Sequence, residues 1–334
     1  MFTGTVVACG LIGLAPATAL ADPAGPTDYR TVVTSIQPAT GAIAVTVEGG
    51  DAFIRLAVEP GHEVVVLGYG GEPYVRVRAD GVVEENLLSP ATYYNEARYG
   101  GAVPSGITAT GALEQPPEWK AVGDGGVWAW HDHRAHLMTA EPLIGMQPGD
   151  RLPPETIDLL VDGEPVAVEV VTTLQASPSR WPAVVGLAIG IGVVASLVFV
   201  SRLAIRQHAA PTVAVAVAAA AASVVVGGVQ YLSLSSQTDP AVTWWLLPVM
   251  ALLASAGAAA VRSALVRGAL VALGGLQLLV WAVPRRSVLS RAVLPTDLPF
   301  WLDRTVTAAV LPGAAALLVV GLIEMFSPVP HRAT

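Results

Sequence analysis

Through most of the first half of the chain, apolar and polar residues alternate with a period of two. The stretches YRTVVTSI (29–36), AIAVTVEGG (42–50), FIRLAVEPG (53–61), EVVVLGY (63–69), PYVRVRADG (73–81), TIDLLVDG (156–163) and PVAVEVVTTL (165–174) all show it. This is the pattern of a strand with one buried face. Asp-Gly and Gly-Gly pairs punctuate the series, and Asp80-Gly81 and Asp162-Gly163 suit the positive φ of tight hairpin turns. Several short strands at this spacing predict an all-β, antiparallel fold, as one sandwich or as two small β-lobes. The intervening segment 89–117, rich in Pro, Gly and aromatic residues, reads as a long ordered loop.

After residue 180 the alternation stops and long runs of Ala, Val, Leu and Gly begin. A transmembrane helix needs about 20 apolar residues. Five runs meet that length, at 182–200, 212–231, 242–261, 265–283 and 305–325. Composition agrees: the chain is 53% hydrophobic and only 13% charged, against roughly a quarter charged in ordinary soluble domains. The expected organisation is therefore a signal peptide at 1–21, an extracytoplasmic β-domain at 22–179, a five-helix transmembrane domain at 180–326 and a cytoplasmic tail at 327–334. The signal peptide is read from an apolar run closing in Ala19-Leu20-Ala21, although the usual basic start is missing. Val6-Val7-Ala8-Cys9 also suggests a lipobox, but the apolar segment lies after Cys9. Cleavage after Ala21 would remove the only cysteine.

Charge divides at the same boundary. Residues 22–180 hold 22 acidic and 9 basic side chains, and residues 181–334 hold 4 and 9. An acidic soluble part excludes nucleic acid as a partner, because phosphate binding needs a basic surface. Arg202, Arg206, Arg262 and Arg267 fall in loops that the positive-inside rule assigns to the cytoplasm. Arg285, Arg286, Arg291 and Arg304 break that rule in the segment before the last helix. Trp181, Tyr231, Trp244, Trp245, Trp281 and Trp301 nevertheless fall at the outer ends of the five spans, as an aromatic belt would. Within the spans no charged residue falls at mid-membrane, so nothing marks an ion or proton pathway. The lipid bilayer is the one expected partner that composition names; an envelope protein or ligand is the other.

Candidate chemistry is concentrated in WAWHDHRAHLM (128–138), which holds three of the six histidines. As a strand through Arg134, it would put His131 and His133 on one face and Trp128, Trp130, Asp132 and Arg134 on the other. Two such imidazoles can share copper or zinc, with His136 joining after a bulge and Met138 adding a soft thioether for copper. The alternative is structural: the tryptophans pack, Asp132 pairs with Arg134 and the histidines bond loop carbonyls. His62, at a strand start, is either a remote fourth ligand or a turn residue. Tyr93, Tyr94, Asn95 and Arg98, together with Trp130 and Arg134, form a candidate interaction surface. Glu84 and Glu85 point to opposite faces of a strand and read as solvated charge. No nucleophile elbow, zinc-protease motif or phosphate loop occurs, and the expectation is a non-enzymatic protein.

The motifs GYGGEPYVRV, SPATYYNEARYG, WHDHRAHLM and DGEPVAVEVVTTLQASPSRWP, followed by a helical tail, resemble a family of exported, membrane-anchored actinobacterial proteins. The likeness covers nearly the whole chain. It implies a β-rich ectodomain, a helical membrane tail and an envelope location, and no activity. Small β-sandwich proteins that handle copper outside the cytoplasm are a looser comparison. They often begin with a ligating histidine and carry Met-rich loops, which this chain does not. The leading functional expectation is envelope binding or scaffolding, with copper or zinc handling as the rival.

Overall fold

The computed structural model describes residues 23–139, 142–202 and 209–326. The expected signal peptide with Cys9, Arg206 and the expected tail at 327–334 lie outside the described residues. The seven stretches of alternating residues all form strands: β1 (Tyr29–Gln37), β2 (Ile43–Glu48), β3 (Phe53–Val58), β4 (Val64–Leu67) and β5 (Pro73–Val77), with two more late in the domain. Between them come β6 (Val83–Asn86), two short helices, α1 (Pro90–Tyr94) and α2 (Ala109–Glu114), then β7 (Trp119–Gly123) and β8 (Val127–Trp130). The late pair is β9 (Glu155–Val161) and β10 (Glu164–Leu174). Their hairpin turns on Asp162 and Gly163, both at positive φ. The predicted long loop thus contains two helical turns, each begun by a side-chain cap: Ser89 accepts from the Ala91 amide and Thr108 from the Gly111 amide.

Every strand pairing is antiparallel. One sheet runs β1-β10-β9-β4-β5-β6-β7 and the other β2-β3-β8. Ile54, Leu56 and Trp130 from the small sheet join Val64, Val75, Ile157, Leu159 and Val168 from the large one in a single core. One sandwich, not two lobes, is the outcome. The reading of Glu84 as solvated charge is corrected: its carboxylate is buried and takes two hydrogen bonds from Arg76, its cross-strand neighbour. Glu85, on the other face, has its carboxyl pushed up to about 7 by burial, against the pull of Lys120.

Among the described residues five helices then follow that are long and apolar enough to cross a bilayer, and the protein is a membrane protein. They are α3 (Trp181–Arg202), α4 (Ala209–Leu232), α5 (Thr243–Ala260), α6 (Ala264–Ala282) and α7 (Phe300–Phe326). Their outer faces are as apolar as their contacts: Val184, Leu187, Ile191, Leu253, Leu273 and Ile323 are all exposed. That inversion suits lipid, not water. Small residues bring the backbones close. A β-carbon on Gly190 would lie 2.5 Å from the Ala309 carbonyl, and one on Gly275 2.6 Å from the Leu318 amide, so α3 and α6 both close on α7 through glycine.

The β-domain is docked on one end of this bundle. Thr27 and Val293 exchange backbone hydrogen bonds of 3.0 and 2.8 Å, and Arg291 reaches Asp28 at 2.6 Å. Leu234, just beyond α4, packs with Ala24, Ala52, Phe53 and Ala129, while the Ser235 amide donates to Glu48. The arginines that broke the charge rule are largely consumed here. Arg285 is buried against Asp303 at 2.8 and 2.9 Å and bonds Gln230, and Arg304 donates to the carbonyls of Val288, Arg291 and Ala292. Trp281 is likewise buried, beneath the Arg285 guanidinium and bonded to the Trp244 carbonyl, so this member of the belt faces protein.

Removing one member of a buried ion pair strands the other. Asp303→Ala should therefore lower stability by about 3–5 kcal/mol, a fall of roughly 10 °C in the melting temperature of the detergent-solubilised protein. The double change Arg285→Leu with Asp303→Leu should recover most of it. Equal melting of Asp303→Ala and the parent chain would show that the pair contributes nothing.

Candidate functional site

The WAWHDHRAHLM segment is strand only to Trp130. A buried carboxylate ends it. Asp132 is fully buried and accepts four hydrogen bonds, from the Trp130 indole (2.9 Å), the Arg134 amide (3.0 Å), and Arg134 Nε and Nη2 (2.8 Å each). Its own carbonyl accepts from the Ala135 amide at 2.8 Å, which closes a tight turn. Burial opposes ionisation of Asp132, but the adjacent Arg134 charge and its hydrogen bonds hold the carboxyl below its ordinary range. The expected alternation of faces through Arg134 is thus overturned by side-chain capture of the backbone.

The turn sorts the three histidines. His131 is only 1% exposed, stacks on Phe53 at 4.1 Å and places Nδ1 2.7 Å from the Ala52 carbonyl. It is a core residue and does not share a face with His133. His133 and His136 come together instead, with ring centroids 5.2 Å apart and planes at 82°. His136 is 4% exposed and donates from Nε2 to the Arg98 carbonyl at 2.6 Å; its Nδ1 has no partner among the described residues. Burial, reinforced by the Arg98 charge, pushes this imidazole down to about 3. His133 lies beside the Ala97 backbone, burial lowers its pKa, and its Nε2 is also without a partner among the described residues.

In front of this pair lies an open cleft of about 420 Å³, lined by Tyr69, Tyr94, Tyr99, Gly100, Gly101, His133 and Met138. The three tyrosines and Met138 are exposed. Tyr69 organises the wall: its hydroxyl donates to Asn95 at 2.5 Å and accepts from the His133 amide at 3.0 Å, while the Arg134 guanidinium lies 5.1 Å from its ring. The structure separates the residues read as an interaction surface. Only Tyr94 is exposed. Tyr93 bonds the Leu87 carbonyl, Asn95 is buried behind Tyr69, Arg98 pairs with buried Asp51, and Trp130 and Arg134 belong to the Asp132 network. His62 pairs with Asp162 at 2.6 Å on the β9–β10 turn, as a turn histidine does.

Among the described residues, no three His, Cys, Asp or Glu side chains gather as a metal-ligand set. The zinc reading in its usual form, with three or four such ligands, has no site there. Sequence reasoning missed Tyr69 as a site residue, although it lies in the quoted GYGG motif. It also missed the Arg98 carbonyl, which only the folded loop brings to His136. Comparisons of the chain with protein-family models, with curated proteins and with solved structures return no match.

Two outcomes follow. Asp132→Ala leaves Arg134 uncompensated and should cost about 3–5 kcal/mol, seen as early thermal unfolding. The His136 imidazole is neutral in the fold, whereas its unfolded counterpart takes up a proton below about 6.5. The unfolded state then binds more protons, so stability is full above that pH and falls by about 1.4 kcal/mol per unit as pH drops toward 3. Melting curves between pH 7 and 4.5 should show a shallower acid loss in His136→Gln than in the parent chain.

Proposed function

We propose that the protein is a non-enzymatic, membrane-anchored binding protein of the actinobacterial cell envelope. Its β-domain lies on the extracytoplasmic side, and the cleft between Tyr69, Tyr94, Tyr99 and His133 is its ligand site. One observation carries the reading. Buried polar atoms normally find partners, yet His133 Nε2, His136 Nδ1 and Asn95 Nδ2 have none among the described residues, and all three lie at or directly behind this cleft. Exposed aromatic rings at its mouth supply contact area at low entropic cost, as binding surfaces commonly do.

The fold supports the same reading in two further ways. The domain is pinned to the helix bundle through Thr27, Asp28, Glu48 and Leu234, so the cleft is held at a fixed height above the membrane. Three arginines near the docked end, Arg285, Arg291 and Arg304, are engaged by Asp303, Asp28 and backbone carbonyls, while Arg286 is exposed. At the opposite end Arg262 is exposed and Arg267 pairs with Glu324. Basic residues at the turn between α5 and α6 suit a cytoplasmic face there.

In a Cys9→Ser background, Glu164→Cys should react with a membrane-impermeant maleimide in intact cells, and Arg262→Cys only after lysis. The reverse pattern would refute the extracytoplasmic reading. Residues kept for binding and not for packing should be dispensable to the fold. Tyr94→Ala and Tyr99→Ala should each shift stability by less than about 1 kcal/mol in thermal melts. A large loss would make the cleft wall structural.

A further inference from the structure

The histidine pair behind the cleft has the features of a preformed ligand set. The His136 ring is fixed by a hydrogen bond to the Arg98 carbonyl, and the His133 ring lies against the neighbouring Ala97 backbone of the same loop. For His136 the bond is made from Nε2, which leaves the lone pair on Nδ1. Metal-binding histidines are oriented in this manner, with the second ring nitrogen donating to a carbonyl or carboxylate. A buried acceptor left unmet is costly, and here two occur side by side. Their rings also have suitable spacing. With metal–nitrogen bonds of about 2.0 Å, two imidazoles that share one ion at an angle of about 110–120° hold their centroids about 5.1–5.5 Å apart; these stand at 5.2 Å.

A third donor lines the same cleft. A β-carbon placed on Gly100 would lie 3.7 Å from His133 Cε1 and 3.9 Å from Met138 Cε, so the thioether end of Met138 and the His133 ring flank one small space. The donor set is then two neutral nitrogens and one neutral sulfur, and no carboxylate or thiolate among the described residues completes it. Such a set is too poor in charge and in number for four-coordinate zinc and suits a soft, monovalent ion of low coordination. The Arg98 guanidinium, which adds positive charge near His136, disfavours a divalent ion in the same way.

We propose that His133 Nε2, His136 Nδ1 and the Met138 thioether form a Cu(I) site at the back of the cleft. This names the ligand of the binding cleft and rests on that reading. His131 is outside the set: it stacks on Phe53, holds the Ala52 carbonyl and forms the wall against which the His136 ring stands, 6.2 Å away.

The test uses the full chain in detergent, under anaerobic and reducing conditions, with Cu(I) supplied against a colorimetric Cu(I) chelator. One copper per chain should be retained. His133→Ala, a change at a half-buried side chain, should weaken binding about 100-fold or more, while His62→Ala should leave it unchanged. X-ray absorption of the copper-loaded protein should show one sulfur neighbour, absent in Met138→Leu, whose affinity should fall roughly tenfold. Zn(II) alone should bind far more weakly than Cu(I). Failure to hold Cu(I) against the chelator, or retention unchanged in His133→Ala, would overturn the site and leave the lone pairs to a bridging water. A copper spectrum without sulfur would overturn the role of Met138. Failure of copper while Glu164→Cys still labels from outside and the tyrosine variants stay folded would remove the metal and leave the binding cleft standing. Reversed labelling would remove the extracytoplasmic reading whether or not copper binds.

Discussion

The candidate site depends on one buried charge. The Asp132 carboxylate takes hydrogen bonds from the ring before it and from the backbone and guanidinium after it, and so halts a strand that the residue pattern would otherwise carry on to Arg134. Had the strand continued, His131 and His133 would have lain on one face and His136 beyond reach. Because it stops, His131 turns into the core, while His133 and His136 meet above the loop that holds Ala97 and Arg98. A carboxylate buried this completely persists only because each of its oxygens is bonded and its charge is matched by Arg134.

The same economy recurs at the junction with the helices. Asp303 holds Arg285 beneath the β-domain, Asp28 holds Arg291, and backbone carbonyls hold Arg304. Between these polar contacts Leu234 fills an apolar seat made by Ala24, Ala52, Phe53 and Ala129. Apolar area gives the joint its adhesion and the ion pairs fix its register, so the cleft and the membrane end of the bundle belong to one framework.

Much of the fold was legible in the sequence, for physical reasons. Strands β4 and β9 and the first half of β1 bury alternate residues, β3 and β5 bury neighbouring ones as well because both their faces are packed, and the helices announce themselves by the length of their apolar runs. The strands that periodicity alone marks poorly are short. β6 has four residues, and three of them, Glu84, Glu85 and Asn86, are polar; β7 is bordered by Gly and Pro. The site was legible in composition and not in geometry. The cluster of histidines pointed to a segment that lines the cleft, but which two would meet depended on Asp132 and on the Arg98 carbonyl, more than thirty residues earlier in the chain. Arg98 illustrates the same limit: read as a surface residue, it offers its carbonyl to His136 and its charge to Asp51.

The pairing of Arg291 with Asp28 joins residues 263 positions apart, and the Thr27–Val293 backbone bridge spans a similar distance. Every helix but the last is synthesised before the second partner of these contacts exists. While it is being made, the segment before α7 therefore carries Arg291 without its partner. That charge is matched by Asp28 only when the segment meets a β-domain that has already formed. The sandwich thus serves as a template on which the final helical hairpin seats, and damage to strand β1 or to the residues just before it should surface as misassembly of helices made some 250 residues later.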